Sequence, residues 1–388
     1  MNQGKYIFSQ IMSHVIQKDF DKCVNRYNGN WKTKHFTCWK QYLCMAFGQL
    51  THRESLSDTM LCLKQNADKL YHLGIGQAVS KSTLSKSNEN RDWRIYRDLT
   101  MVLIGKAQRL YVNEQLPDIN LKNNVFAIDA SLVDLCLDVF TWAYFRQTKA
   151  AIKINAQLDL KSAIPTFIHL TEGNVHEVNT LDLIDFEPKG FYVMDRGYLD
   201  FNRLYKIHLA KAFFVIRGKR KLKFNKQISN KIDKSTGLRC DQIIKLTGYN
   251  TKDYYPEKLR RIKFYDAKDQ RMFVFLTNNM EIKALEVAIL YKHRWKIELF
   301  FKWIKQHLKI KSFWGHSQNA VKTQIWIAIS VYVLIAIVKK RLKIQQSMYE
   351  ILQVLSINIF DKTPINELFT IIKYQNFKER NCNQLKMF

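Results

Sequence analysis

The apolar rhythm of the chain changes along its length. Up to about residue 110, apolar residues recur at spacings of three and four, the repeat that gives a helix one buried face. Leu56, Met60, Leu63, Ala67 and Leu70 are the clearest case. They predict a helix that runs on to Gly74 and Gly76, with Thr51 and Glu54 forming a capping box at its start. After Asn124 the repeat gives way to short apolar runs. Val125–Ile128, Ala151–Leu158, Ile164–Leu170, Phe191–Met194 and Phe213–Ile216 read as strands, with helical spacing over Phe201–Ala212. Strands in succession, then alternating with helix, predict an α/β fold: a mixed sheet with flanking helices. Met272–Leu276 is a further strand, followed by a long helical pattern from Ile282 to about Ile310.

These patterns divide the chain into a helical region at 1–115, an α/β domain formed by 120–216 and 272–340, an insertion at 217–271, and a helical C-terminal region at 341–388. The apolar run Ile325–Val338 is 14 residues long, short of the roughly 20 needed to span a bilayer, and reads as a buried helix. The first residues, Met-Asn-Gln-Gly, lack the basic and then apolar pattern of a signal peptide, so a cytoplasmic location without membrane attachment is expected.

Charge narrows the function classes. The 388 residues hold 62 Lys and Arg against 34 Asp and Glu, a formal net charge of +28. A surplus of that size calls for a polyanionic partner, and nucleic acid leads. The insertion is the most basic part, with 17 Lys and Arg against 6 Asp and Glu over Arg217–Arg271. Seven cysteines are scattered without a C-x-x-C pair, which argues against a disulfide scaffold or a zinc ribbon. Just past the Gly74–Gly76 turn lies a polar stretch, Ser80 to Arg91. Its Lys81, Lys86, Asn90 and Arg91 are suited to phosphates and base edges, or else to a solvated helix face.

Candidate chemistry lies at two strand ends and on the long helix. Asp129 follows Phe-Ala-Ile and Asp195 follows Tyr-Val-Met, positions where a sheet holds a carboxylate rigidly at its ligand-binding edge. Asp134 and Asp138, at helix-like spacing, rival Asp129, and His176 and Glu177 after a strand are lesser candidates. On the long helix Tyr291, Arg294, Glu298 and Lys305 fall at offsets of 0, 3, 7 and 14, one stripe roughly 60° wide. Leu290, Ile297, Leu299, Phe300, Trp303, Ile304 and Leu308 cover the other side. Helix geometry alone allows a surface ion-pair ladder as readily as a site.

The spacing Tyr291-x2-Arg294-x3-Glu298-x6-Lys305 resembles the signature of the IS-four family of bacterial insertion-sequence transposases at all four positions. Asp129, Asp195 and Glu298, separated by 66 and 103 residues, are similar to that family's DDE triad, the second gap leaving room for a β-rich insertion. The resemblance implies a ribonuclease H-like sheet and a helical N-terminal region that binds transposon-end inverted repeats. It also implies cleavage and strand transfer by two Mg2+ ions (Mn2+ substituting) on the three carboxylates. Tyr291, Arg294 and Lys305 would lie along the DNA, and a homodimer would hold paired ends in the bacterial cytoplasm at the nucleoid. Oxygen-only donors suit magnesium, and two ions about 4 Å apart suit phosphodiester cleavage. Hairpin-forming members stack a flipped base on an insertion tryptophan, whereas no Trp lies between Trp142 and Trp295 here. Tyr249, Tyr254, Tyr255 and Tyr265 are the aromatic substitutes. A DNA-binding regulator descended from a transposase and a site-specific nuclease without strand transfer are the competing functions.

Overall fold

The computed structural model describes residues 4–370 apart from 137, 139, 147, 148, 220 and 308–312. The expected helix end near Ile310, Leu308, and the part of the C-terminal region beyond 370 lie outside the described residues. The chain folds as two compact units, one of residues 1–112, 138–142 and 302–388, the other of 113–137 and 143–301.

The first unit is helical. Its N-terminal part holds α1 (Ile7–Met12), α2 (Gln17–Arg26), α3 (Cys38–Leu50), α4 (Leu56–Gln65), α5 (Lys81–Asn90) and α6 (Arg94–Leu110). The expected capping box is one turn out of place. Thr51 closes α3, its hydroxyl returning to Phe47 O, while Ser55 caps α4 by accepting from Asp58 N. Helix α4 also stops at Gln65. Ala67–Lys69 make a separate 3₁₀ turn, and Gly74 and Gly76 take positive φ in the turn beyond it.

The second unit is built on a mixed sheet of ten strands among the described residues. In chain order these are β1 (Val125–Leu135), β2 (Tyr144–Arg146), β3 (Lys149–Asp159), β4 (Pro165–Glu172) and β5 (Phe191–Met194), then after helix α7 (Phe201–Leu209), β6 (Phe213–Arg217). The basic insertion adds β7 (Phe224–Ser229), β8 (Leu238–Leu246), the short helix α8 (Thr251–Tyr254) and β9 (Leu259–Asp266) before β10 (Arg271–Thr277). The strand order is β2-β3-β1-β5-β6-β10-β9-β8-β7, with β4 also paired to β3. Strands β1, β5 and β6 are parallel neighbours, and the other pairings are antiparallel. The insertion therefore continues the sheet through β10. One face of the sheet packs Phe126, Ile128, Tyr192, Met194, Phe214 and Ile216 with Phe201, Leu204 and Ile207 of α7.

The insertion has its own buried anchor. Arg260 of β9 grips Asp241 of β8 with Nε to Oδ1 at 2.8 Å and a second N–H to Oδ2 at 2.9 Å, both side chains under one-tenth exposed. Removing one partner of such a pair strands a buried charge, so Asp241→Ala is expected to cost about 3–5 kcal/mol. Urea unfolding checks this, and a loss under about 1 kcal/mol would show that the pair does not hold the insertion.

The long helical pattern after β10 is two helices, α9 (Ala284–His293) and α10 (Trp295–His307), divided at Arg294. Hydrogen bonds from Arg294 N to Tyr291 O and from Ile297 N to Arg294 O tighten the joint to a three-residue step. A uniform 3.6-residue stripe was the wrong geometry, and Leu299 is exposed rather than on the buried side.

Helix α10 runs on into residues of the first unit, which is completed by α11 (Gln318–Arg341) and α12 (Met348–Ile357). Sequence placed 302–340 with the α/β domain, but α11 packs on α3, α5 and α6. Thr100 of α6 donates to Trp326 O at 3.1 Å, and Tyr42 of α3 meets Ser330 at 3.2 Å. Helix α11 is long and apolar enough to cross a membrane by length and composition, yet 94% of its most apolar stretch is buried within the protein.

Candidate active site

The site forms where the parallel part of the sheet opens. Strands β1 and β5 pair from Val125↔Phe191 to Ile128↔Met194, so the next residues, Asp129 and Asp195, leave adjacent strands side by side. Asp195 ends β5 and starts the 3₁₀ turn Arg196–Tyr198. Asp129, expected at a strand end, lies inside one: β1 continues to Leu135 on its pairing with β3, and only the β5 side is open. The same extension removes a rival. Asp134 is five residues further along a strand, hence on its opposite face, and neither it nor Asp138 is helical.

Helices α9 and α10 bring the remaining groups. Tyr291 Oη donates to Asp195 Oδ1 at 3.0 Å, its ring resting on Phe275 at 4.7 Å between centroids. Burial pushes its hydroxyl up to about 12, against the pull of Arg294, so Tyr291 keeps its proton as donor. Arg294 lies between two carboxylates. One N–H donates to Asp129 Oδ2 at 3.1 Å and another to Glu298 Oε1. The tight joint at Arg294 lets one residue reach back to β1 and forward along α10. In this conformation Tyr291 and Arg294 serve the carboxylates, whereas the resemblance put them on DNA. Lys305 lies on α10 in the part counted with the first unit, half-buried.

Burial raises the Asp129 carboxyl to about 6; Arg294 opposes the rise, and the charges of Glu298 and Glu177 add to it. Tyr198 is fully buried beneath the same acids, its hydroxyl without a hydrogen-bond partner and held well above its usual value by burial and by Asp129 and Glu177. A cleft of about 750 Å³ opens beside Asp195, lined among others by His176, Arg196, Asp200, Arg217 and Lys219. Tyr198 and this basic rim were not assigned from sequence. Their signals were the Arg-Gly-Tyr that follows Asp195 and the basic start of the insertion, where Arg217 and Lys219 lie.

Among the described residues, no three His, Cys, Asp or Glu side chains converge tightly enough to hold a metal ion as they stand. The donor set nevertheless suits a hard divalent cation. It offers carboxylate oxygens only, an acid whose charge is poorly compensated, and a buried hydroxyl without a partner.

In the first unit, Lys81, Lys86 and Asn90 are exposed on α5, and Leu84 and Asn88 bury its other face. Arg91 is committed to the fold: its guanidinium donates to Gln41 Oε1 at 2.9 Å and to Phe36 O. Of the insertion tyrosines, Tyr249 is the most open at 89% exposure and Tyr254 is half exposed. Tyr265 has Arg239 over its ring, and Tyr255 is fully buried with its hydroxyl on His208 Nδ1 at 3.0 Å.

A mixed α/β sheet with two aspartates at neighbouring strands, and Tyr291, Arg294 and Glu298 brought beside them by two consecutive helices, is the arrangement expected of a DDE-type transposase, the class of enzyme that cuts and transfers DNA strands. The chain belongs to the transposase DDE domain family, whose model matches residues 120–334; residues 3–76 match a domain of unknown function (DUF4372). A putative transposase, y4zB, from Sinorhizobium fredii is 31% identical over 258 residues, 66% of this chain and 70% of that protein. A probable transposase for insertion sequence element IS5377 from Geobacillus stearothermophilus is 24% identical over 66% of each chain. A putative transposase for insertion sequence element IS4SA from Synechocystis is 26% identical, covering 67% of this chain and 72% of that one.

Proposed function

We propose that this transposase binds the terminal inverted repeats of its own insertion sequence, cleaves the DNA at those ends and joins them to target DNA, using divalent cations held by Asp129, Asp195 and Glu298. The observation that carries the reading is the placement of Asp129 and Asp195 one residue past the end of the β1–β5 ladder, with Glu298 tied to Asp129 through Arg294. The order β4-β3-β1-β5-β6, antiparallel and then parallel, supports a ribonuclease H-like core. Magnesium, with manganese as substitute, would polarise the phosphate and activate the attacking oxygen when bound.

The protein's own groups prepare the site for this. Tyr291 fixes the rotamer of Asp195, and Arg294 spaces Asp129 from Glu298 and limits their repulsion. Arg196, Arg217 and Lys219 line the cleft where a phosphate backbone would approach Asp195. Two ends must move together, so a homodimer on paired ends is the working assembly, acting on DNA of the bacterial nucleoid. The test is a supercoiled plasmid bearing the inverted repeats that flank the coding region, incubated with the full chain and Mg2+. Cuts at both repeats, and none with EDTA, are expected; an intact plasmid at high protein would overturn the reading.

End binding is assigned to the N-terminal helices, with Lys81, Lys86 and Asn90 reaching the DNA from α5. Each phosphate contact contributes about 0.9 to the slope of log affinity against log salt. Lys81→Ala with Lys86→Ala should therefore flatten that slope by about 1–2 in titrations of repeat-containing duplex. An unchanged slope would move the contacts to the insertion.

A further inference from the structure

A fourth carboxylate stands at the same opening. Glu177 begins the 3₁₀ segment Glu177–Leu183 after β4, and its neighbour His176 lines the cleft beside Asp195. Its position is locked to Gly197, two residues past Asp195. A Cβ built on Gly197 would lie 2.0 Å from Glu177 Oε1, so the carboxylate occupies the space that any other side chain at 197 would fill. The loop is anchored from beneath by Lys153 of β3, a largely buried lysine whose ammonium donates to Val175 O.

The surroundings of Glu177 point to a ligand. Its charge is felt by Asp129 and Tyr198 and by the buried ammonium of Lys153, so it belongs to the same electrostatic cluster as the first of the three acids. Among the described residues, no hydrogen bond or ion pair is formed by the Glu177 carboxylate. The Tyr198 hydroxyl, fully buried among these acids, is likewise unpartnered. Leaving a buried hydroxyl unsatisfied carries a desolvation cost that an ordered ligand at the carboxylates would remove. An unpaired Glu and an orphaned phenol facing the same acids are what a cation site with its outer oxygen donors presents when only the protein's atoms are in place.

We propose that Glu177 is a fourth oxygen donor to the divalent cations of this site, kept in position by the absence of a side chain at Gly197. The inference rests on the reading of Asp129, Asp195 and Glu298 as cation ligands. A donor of this kind, whether direct or one water removed, changes metal affinity by about 10- to 100-fold.

The experiment measures Mn2+ binding to the full chain without DNA, by the electron paramagnetic resonance of free Mn2+, with thermal melts to verify folding. Glu177→Gln is expected to weaken Mn2+ binding at least tenfold. Gly197→Ala, at an exposed position with an ordinary φ, should do the same with no change of charge, because its methyl expels the carboxylate; this variant covers the case in which Glu177→Gln folds poorly. Glu172→Gln, exposed at the end of β4, makes the same charge change nearby and should bind as the parent does. Parental affinity in folded Glu177→Gln, or a loss in Glu172→Gln as large as that in Glu177→Gln, would overturn the proposal. Asp195→Asn separates this from the reading beneath it. If that variant loses Mn2+ while Glu177→Gln keeps it, only the fourth donor fails; if both keep it, the three-carboxylate site fails as well.

Discussion

Asp195→Asn and Glu298→Gln should each reduce cleavage at the element's ends by about a thousandfold or more, while affinity for the same DNA stays within about threefold. The amides keep the shape of the acids, and the amide oxygen introduced at position 195 can still accept from Tyr291, so the scaffold is preserved. What the proposed site would lose is a charged oxygen donor to its cations. Polarisation of a phosphoryl oxygen by metal supplies several kcal/mol, and each ~1.4 kcal/mol is a decade of rate. Affinity comes instead from phosphate contacts made elsewhere and should survive. Single-turnover cleavage of a labelled end duplex, beside a gel-shift titration, makes the comparison. Cleavage by Glu298→Gln within tenfold of the parent would remove Glu298 from the chemistry.

Arg294→Ala should lower stability steeply in metal-free buffer and recover much of it on adding Mn2+. Its guanidinium is about one-seventh exposed and bridges Asp129 and Glu298, so its removal leaves two adjacent carboxylates with no cation between them. Breaking a buried pair in this way costs about 3–5 kcal/mol. The deficit should shrink as pH falls. The Asp129 carboxyl already titrates near 6 in the folded chain, above its ordinary 3.8, so its contribution to stability is complete below about pH 4 and is lost as pH rises through 6. Without Arg294 that value climbs further, and the gap between variant and parent should be wider at pH 8 than at pH 5. Melting curves at both pH values, with and without Mn2+, check this. Equal melting temperatures for variant and parent at pH 8 would show that Arg294 is held ready for DNA rather than for its neighbouring acids.

The parts of this site that were legible in the sequence are those governed by local spacing. The strands carrying Asp129 and Asp195 follow from short apolar runs, and Tyr291, Arg294 and Glu298 stand out because polar groups occupy spacings that leucines usually fill. The partners were not legible. That Tyr291 meets Asp195 and Arg294 meets Asp129 depends on contacts across 96 and 165 residues, which helical periodicity does not encode. Tyr198 carries no signal of its own in the sequence, because its meaning lies in a buried hydroxyl that finds no partner. The capping box at Thr51 failed because Ser55, four residues on, offers an equally good oxygen closer to the apolar face of α4. Helix α11 was read correctly as buried, but its companions could not be inferred, since an all-apolar helix has no distinctive face to match.

The burial of α11 has a consequence for how the chain is made. Its packing partners α3, α5 and α6 are finished by Leu110, whereas α11 begins at Gln318, about 200 residues later. At ordinary translation speeds of roughly 5–20 residues per second, these helices wait roughly 10–40 s for the element that fills their core. Until then the sides of α3 and α6 that carry Tyr42 and Thr100 have no permanent cover, and the helical unit closes only after the α/β unit has left the ribosome. A nascent chain halted before α11 is thus expected to hold the sheet and its carboxylates in a chain whose helical unit is still open. The cell would meet a folded sheet with its carboxylates before it met a folded helical unit.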